Sequence, residues 1–142
     1  MAELLTNKAL SGTTSEVWFD GEKLANLKKA DLKVEGNFED LQVCGDYRTF
    51  PNYVGYSVTG SVTLAKIDSL VLKKYATAYK TGDIPTLKII AKLTDKSTGK
   101  VERTAISGAV LTTLTLANFE AAKLIDEEIP VQASDYDVLE TI

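Results

Sequence analysis

Two acidic clusters, Glu39-Asp40 and Asp126-Glu127-Glu128, have the most evident chemical capacity in the chain. Paired carboxylates hydrolyse glycosidic bonds, and groups of carboxylates bind calcium. Adjacent residues of a strand point to opposite faces, however, and neither cluster has the spacing of a calcium-binding loop. The chain has no histidine, the commonest general base, and no glycine-rich phosphate-binding motif. We therefore expect no catalytic site, no metal and no cofactor, with a carboxylate-based hydrolase as an alternative.

A stretch rich in aromatic residues, CGDYRTFPNYVGY from Cys44 to Tyr56, is the second candidate site. Its glycines, proline and asparagine are typical of a loop, yet it holds four of the eleven aromatic side chains of the chain. Three hypotheses explain so many rings in a loop: a stacking platform for a carbohydrate or single-stranded nucleic acid, rings folded back onto the core, or a contact with another protein subunit. The residues assigned to this site are Phe38, Tyr47, Arg48, Phe50, Tyr53 and Tyr56.

The composition is that of an ordinary globular domain. The 142 residues are 44% hydrophobic and 25% charged, which predicts a single domain over residues 1–142. No apolar run approaches the roughly 18 residues of a membrane span, and the N-terminus does not resemble a secretory signal. The single cysteine, Cys44, fits a reducing cytoplasm. Residues 118–142 hold seven acids against one lysine, so this end either contacts a basic surface or is simply solvated.

Alternating polar and apolar residues predict a long amphipathic strand on each side of the aromatic stretch. The apolar positions are Ala30, Leu32 and Val34 in the first strand and Val58, Val62 and Leu64 in the second. The opposite face of the resulting hairpin is expected to be wholly polar, because side chains alternate along a strand. The residues on it are Lys29, Asp31, Lys33, Glu35, Ser57, Thr59, Ser61 and Thr63. Residues 38–56 are then predicted to form the long loop at the hairpin tip.

The remaining elements predict a mostly β domain with one helix packed on it. Asp20-Gly21 lies between two strand-like runs and is a strong hairpin signal. A helix is predicted over residues 68–81, with Asp68 or Ser69 as its N-cap and Gly82 at its C-terminal end. Its core-facing stripe would be Val71, Tyr75, Ala78 and Tyr79. Residues 118–128 allow either a short helical turn or the start of a final strand.

The order of these signals is similar to that of a known family. The segment LSGTTSEVWFDGEKLANLKKADLKVEGN leads from a Ser-Gly pair through an Asp-Gly-Glu hairpin into an alternating strand. It resembles the tail-tube proteins of contractile phage tails. The C-terminal EEIPVQASDYDVLE is similar to the ending of that family. The resemblance spans nearly the whole chain and points to the tube proteins of PBSX-like prophages and of R-type bacteriocins.

The resemblance implies a mainly β fold of the α+β type. In it, two packed antiparallel sheets form a sandwich or barrel with one flanking helix and a long hairpin loop. It further implies a structural subunit without enzymatic activity, which assembles into hexameric rings that stack into a hollow tube. The aromatic loop would reach into the next ring and be mobile in the free monomer, and the eight polar residues would line the lumen. A monomeric module that binds a carbohydrate through the aromatic loop is the alternative.

The same resemblance implies partners and a location. Besides copies of itself, the chain would meet a sheath protein, a baseplate or tube initiator, and a tape-measure protein. Double-stranded DNA would pass through the lumen of a phage tube without specific binding, and the monomer would not insert into a membrane. Assembly would take place in the bacterial cytoplasm, and the product would be a phage tail or bacteriocin particle. The sequence does not distinguish these two kinds of particle.

Overall fold

The structure is a computed structural model that describes residues 10–67, 70–95 and 98–142. These residues form a short 3-10 turn at Gly12–Thr14, eight strands and two short α-helical segments. The strands are β1 (Glu16–Phe19), β2 (Glu22–Lys23), β3 (Leu27–Gln42), β4 (Thr49–Ala65), β5 (Leu87–Thr94), β6 (Val101–Leu111), β7 (Asp126–Ala133) and β8 (Asp135–Glu140). The helical segments are α1 (Leu70–Tyr75) and α2 (Ala78–Thr81). No helix in this described part of the chain is long and apolar enough to cross a membrane.

The eight strands form one antiparallel sheet in the order β2-β1-β5-β6-β7-β4-β3, and β8 also pairs with β6. The mainly β class and the antiparallel pairing predicted from the sequence are thereby confirmed. The expected number of sheets, two, is wrong, because β6 pairs with strands on both sides and joins what would be two sheets into one. Residues 103–107 of β6 pair with β8, whereas Val110 and Leu111 pair with β7.

A bulge at Gly108 marks the point where β6 passes from one half of the sheet to the other. Two residues of β6 lie between the partners of Leu87 and Ile89, where β5 has only one. Gly108 has a φ of +65°, and a Cβ atom there would lie 2.2 Å from Oγ of Ser134. Only glycine fits this left-handed, crowded position at low cost. The bulge lets one continuous sheet change direction and enclose a core.

The core takes residues from both halves of the sheet, which shows that the sheet folds over itself. Val17 and Ile89 come from β1 and β5, and Val62 and Ile129 come from β4 and β7. Each of these four side chains is almost completely buried. Removing an aliphatic side chain of this size from water contributes about 1.5–3 kcal/mol. The helical segments add Tyr75 and Ala78 to the same cluster.

The helix predicted over residues 68–81 is present as two segments rather than one. The break falls at residues 76–77, and Thr77 is β-branched, which disfavours helix. Gly82 ends α2 in the left-handed conformation, and its N–H donates to the carbonyl of Ala78, as expected of a helix C-cap. Residues 68–69, which include the proposed N-cap, and the side chain of Val71 lie outside the described part. Tyr79 is 42% exposed, so it is only partly core-facing.

The Asp20-Gly21 turn was predicted correctly. It joins β1 to β2 as a two-residue hairpin in which Phe19 is paired with Glu22. Both central residues have positive φ, 50° and 87°, as a type I′ turn requires. Residues 119–125 form turns and irregular chain, and a strand begins at Asp126, so the strand alternative for the C-terminal region is the correct one.

The long loop predicted at residues 38–56 is mostly β-structure, and only residues 43–48 lie outside β3 and β4. We call residues 43–48 the hairpin tip, and residues 36–42 with 49–56 the hairpin ribbon. Pro51 and Gly55 suggested a loop, but a two-stranded ribbon with open edges tolerates both residue types. A bulge at Val54 separates the pair Asn37–Gly55 from the pair Phe38–Tyr53. The ribbon projects beyond β7, whose pairing with β4 ends at Val58.

Candidate assembly surfaces

The eight predicted polar-face residues lie on one face of the β3–β4 pair, and each residue of β3 is directly opposite one of β4. The pairs are Lys29–Thr63, Asp31–Ser61, Lys33–Thr59 and Glu35–Ser57. The four β3 residues are exposed and the four β4 residues are half-buried. Lys33 and Glu35 form an ion pair at 3.7 Å along the strand. The register thus produces a continuous polar face, which we call the polar wall.

The polar wall continues onto β7, and the sequence analysis missed this third strand. Glu128, Pro130 and Gln132 are paired with Thr63, Ser61 and Thr59. Glu128 and Gln132 are exposed, while Ile129 and Val131 between them are buried on the other face. The alternation of exposed and buried residue types around Pro130 could have revealed this third strand of the polar wall in the sequence, but the proline concealed it.

The base of the hairpin ribbon is attached to β8. The hydroxyl of Tyr56 donates a hydrogen bond of 3.2 Å to Oδ1 of Asp135. This bond, together with the negative charge of Asp135, raises the pKa of Tyr56. The ring of Tyr56 also packs edge-to-face on Tyr136, with ring centres 5.6 Å apart. Both contacts fix the direction in which the ribbon leaves the sheet.

The aromatic residues of the ribbon are divided between its two faces. Phe38 and Tyr53 are opposite each other and pack edge-to-face, with ring centres 5.7 Å apart. Phe50 is paired with Leu41, three positions beyond this pair, and therefore lies on the other face. The guanidinium of Arg48 lies 5.3 Å from the centre of the Phe50 ring, in cation–π geometry. The rings therefore do not form one flat platform on which a sugar would stack.

The hairpin tip is closed by its own hydrogen bonds. The backbone N–H and the guanidinium of Arg48 both donate to the carboxylate of Asp46, at 2.8–3.1 Å. These bonds lower the pKa of Asp46 and raise the pKa of Arg48. Gly45 provides the positive φ, 86°, that the turn needs. Tyr47 takes part in none of these bonds and is fully exposed, as free tyrosine would be.

Neither acidic cluster is arranged for catalysis. Glu39 and Asp40 are successive residues of β3 and so lie on opposite faces of the ribbon. Asp126 is ion-paired with Lys28 at 2.8 Å. Glu127 and Glu128 are divided in the same way between the two faces of β7. Within residues 10–67, 70–95 and 98–142, no group of three ligating side chains is placed to hold a metal ion.

A folded-over antiparallel sheet with one polar face, an exposed edge strand and a projecting aromatic ribbon is typical of a structural subunit that assembles with other copies. The family model described as phage tail tube protein matches residues 2–140, and the chain belongs to that family. It is a structural tube protein, as the resemblance indicated.

Individual relatives agree with the family. Phage-like element PBSX protein XkdM of Bacillus subtilis (strain 168) is 28% identical over 148 residues, which cover 98% of this chain and 96% of the relative. A chain of the PVC sheath-tube complex, an extracellular contractile injection system in its extended state, superimposes with a TM-score of 0.71 at 14% identity, covering 99% and 98% of the two chains. The SPP1 tail tube superimposes with a TM-score of 0.68 at 13% identity, covering 94% and 81%. These two likenesses show the shared fold.

Proposed function

We propose that this chain forms hexameric rings that stack into the hollow inner tube of a contractile phage tail or R-type bacteriocin. The observation that carries the proposal is the polar wall, a face of three strands on which every residue but Pro130 is polar. A face of this kind suits the lining of a water-filled channel, because its polar side chains are stable in contact with water and are not part of the hydrophobic core. The hydrophobic core lies on the opposite side of the same strands.

The open edge of β3 would join neighbouring subunits within a ring. β3 is 16 residues long, and in the described part of the chain it pairs only with β4. A long exposed edge promotes association in a monomeric protein. In a closed ring it is covered by the next copy, so that the polar walls of all subunits become one continuous lining.

The charge of the polar wall would suit passage of an anionic polymer without binding. Its two lysines, Lys29 and Lys33, are balanced against Asp31, Glu35 and Glu128. One lysine is held by its neighbour Glu35. A lining with no excess of positive charge releases few counterions from DNA and so gives little non-specific affinity. DNA in a phage, or ions in a bacteriocin, would therefore move freely through the lumen.

The partners follow from the same function. The hairpin ribbon and hairpin tip, with Phe38, Tyr47, Arg48, Phe50, Tyr53 and Tyr56, would contact neighbouring subunits. The PVC complex contains sheath together with tube, and a sheath protein would likewise surround this tube. A baseplate initiator and a tape-measure protein would start the tube and set its length. Assembly would take place in the bacterial cytoplasm before the particle is released.

Negative-stain electron microscopy of the purified chain over a concentration series tests the proposal. We expect rings or hollow tubes, with or without an added initiator complex. Replacing the exposed Tyr47 by Asp should abolish assembly and leave the monomer folded by circular dichroism, whereas Tyr47→Phe should assemble normally. A chain that remains monomeric at every concentration, even with baseplate components present, would contradict the proposed function.

A further inference from the structure

An apolar cleft lies between the β3–β4 pair and the strands β6 and β8, below the base of the hairpin ribbon. Its volume is about 210 Å³. Most of the side chains that line it are apolar, namely Leu32, Val34, Val58, Ile106, Tyr136 and Val138. Val138 is 57% exposed and Val34 is 43% exposed, so part of this lining meets water. Because an apolar cavity of about 150 Å³ can hold a benzene molecule, the cleft has room for one aromatic ring.

Phe38 carries its ring on the same face of β3 as the cleft. Val34, Gly36 and Phe38 share this face, because side chains alternate along a strand and the bulge at this level is on β4. The ring of Phe38 lies over Gly36, since a Cβ atom at Gly36 would be 2.7 Å from Cε2 of Phe38. Phe38 is 60% exposed. As glycine has no side chain, β3 places nothing on this face between the ring and Val34.

The hairpin ribbon has the features of a hinge just beyond its base. Gly36 is paired with Tyr56, Gly55 is paired with Asn37, and the bulge at Val54 follows directly. Two glycines and a bulge on adjacent rungs let the backbone bend at low steric cost, and the pairing of β4 with β7 ends before this level. The hydrogen bond and the ring contact of Tyr56 hold the base on β8. The outer part of the ribbon can therefore swing while its base stays fixed.

We infer that in the free chain the hairpin ribbon folds back at this hinge and closes over the cleft, with the ring of Phe38 inserted into it. Closure removes Phe38 and Val138 from water, which favours the closed form. The projecting ribbon is the open form of the same chain. The closed form engages the ribbon within its own chain and so withholds it from other subunits. Only this last consequence rests on the proposed function.

The single tryptophan and the single cysteine of the chain form a natural pair for measuring the closure. Trp18 lies in β1, three strands away from β8, and Cys44 is exposed in the hairpin tip. An acceptor dye attached to Cys44 through a maleimide shortens the fluorescence lifetime of Trp18, more strongly at shorter distance. Time-resolved fluorescence of the monomer should give two distances, a short one from the closed form and a long one from the open form.

Two substitutions remove the closed form in different ways. Phe38→Ala deletes the inserted ring, and Val138→Phe fills the cleft from β8. Each should abolish the short distance and leave the circular dichroism of the chain unchanged. Phe50→Ala is the matched control, because it removes a ring on the other face of the ribbon, and it should keep both distances. A single long distance in the wild-type chain, or a short distance that persists in both variants, would overturn the inference.

The rate of assembly, followed by light scattering, tests the consequence for association separately. Val138→Phe keeps every aromatic side chain of the ribbon, so it should form tubes faster than the wild-type chain at the same concentration. Equal rates would overturn the withholding of the ribbon. A wild-type chain that shows the short distance but never assembles would overturn the proposed function and support the fold-back.

Discussion

Tyr75 provides a quantitative test of the packing, because its hydroxyl is buried without a partner. The side chain is 2% exposed, and its hydroxyl oxygen finds no hydrogen-bond acceptor or donor among the described residues. Burying an unpaired hydroxyl costs roughly 1–3 kcal/mol on the basis of mutational data. Tyr75→Phe removes the hydroxyl and keeps the ring in the core. We expect the free energy of unfolding of the monomer to increase by about 1–2 kcal/mol.

Tyr79 is the matched control for Tyr75, since it lies four residues later in the next helical segment. Its hydroxyl donates a hydrogen bond to the backbone carbonyl of Leu111. Tyr79→Phe deletes a bond that is made, so it should lower the free energy of unfolding by about 0.5–1.5 kcal/mol. The same chemical change is therefore expected to have opposite signs at two neighbouring tyrosines.

Alkaline pH gives an independent measure of the same burial. Burial raises the pKa of Tyr75 from its ordinary value of 10.0 to about 12. Between these values the unfolded chain has lost the proton and the folded chain still holds it, so stability falls as pH rises. The complete loss corresponds to about 2–3 kcal/mol, at about 1.4 kcal/mol per pKa unit. Tyr75→Phe should abolish this part of the alkaline destabilisation. Well below pH 10 the folded and unfolded chains both keep the tyrosine proton, so the effect is absent there.

Urea unfolding followed by tryptophan fluorescence of Trp18 measures both effects, on samples shown to be monomeric and to refold reversibly. For a domain of this size, 1 kcal/mol also shifts the melting temperature by about 3–4 °C. If Tyr75→Phe is destabilising by 1 kcal/mol or more, the hydroxyl of Tyr75 is hydrogen-bonded in solution. The reasoning from an unpaired group would then be wrong.

Three further perturbations test other parts of the structure. Gly108→Ala should lower the free energy of unfolding by about 1–3 kcal/mol in urea titrations, because it forces alanine into the left-handed region against Ser134. The control Gly55→Ala, whose added Cβ meets nothing within 4 Å, should be nearly neutral. Equal effects of the two substitutions would argue against the bulge at Gly108. Asp135→Asn should return the raised pKa of Tyr56 towards its ordinary value, measured by NMR titration, and an unchanged pKa would remove Asp135 as its cause. In the free monomer, amide hydrogen exchange should be fastest in the hairpin tip, intermediate in the hairpin ribbon and slowest in the three-stranded part of β4, because the ribbon lacks a third strand; uniform exchange along the hairpin would contradict that order.

The alternation of residue types was sufficient to predict the polar face of the β3–β4 pair. Every second residue from Lys29 to Glu35 and from Ser57 to Thr63 lies on the polar wall, because the side-chain period of a strand is two and both segments keep it. The Asp20-Gly21 turn and the Gly82 cap were equally predictable, since each depends on a local conformation that few residues adopt.

Features that depend on pairing between distant strands were not predictable. Turn residues within the ribbon indicated a loop over residues 38–56, because Pro51 and Gly55 are unfavourable in most strands. Only the pairing with β3 and the bulge at Val54 accommodate them. The division of β6 between β8 and β7 depends on Gly108, and a lone glycine in a strand has many possible roles.

The polar wall itself depends on one such hidden feature near the start of β3. Leu27 packs against the core, and Lys29 lies on the polar wall, although the two residues are an even number apart and would share a face in a regular strand. A bulge at Lys28 resolves this conflict, since two residues of β3 advance the pairing by only one residue of β4, from Leu64 to Thr63. Without that extra residue, a one-residue slip would turn either Leu27 into the polar wall or the charged residues into the core. The ion pair of Lys28 with Asp126 holds the bulged residue against the start of β7. The unbroken polar face of the proposed lumen thus depends on the bulge at Lys28, which lies outside the polar wall. The strand alternation alone does not reveal this bulge.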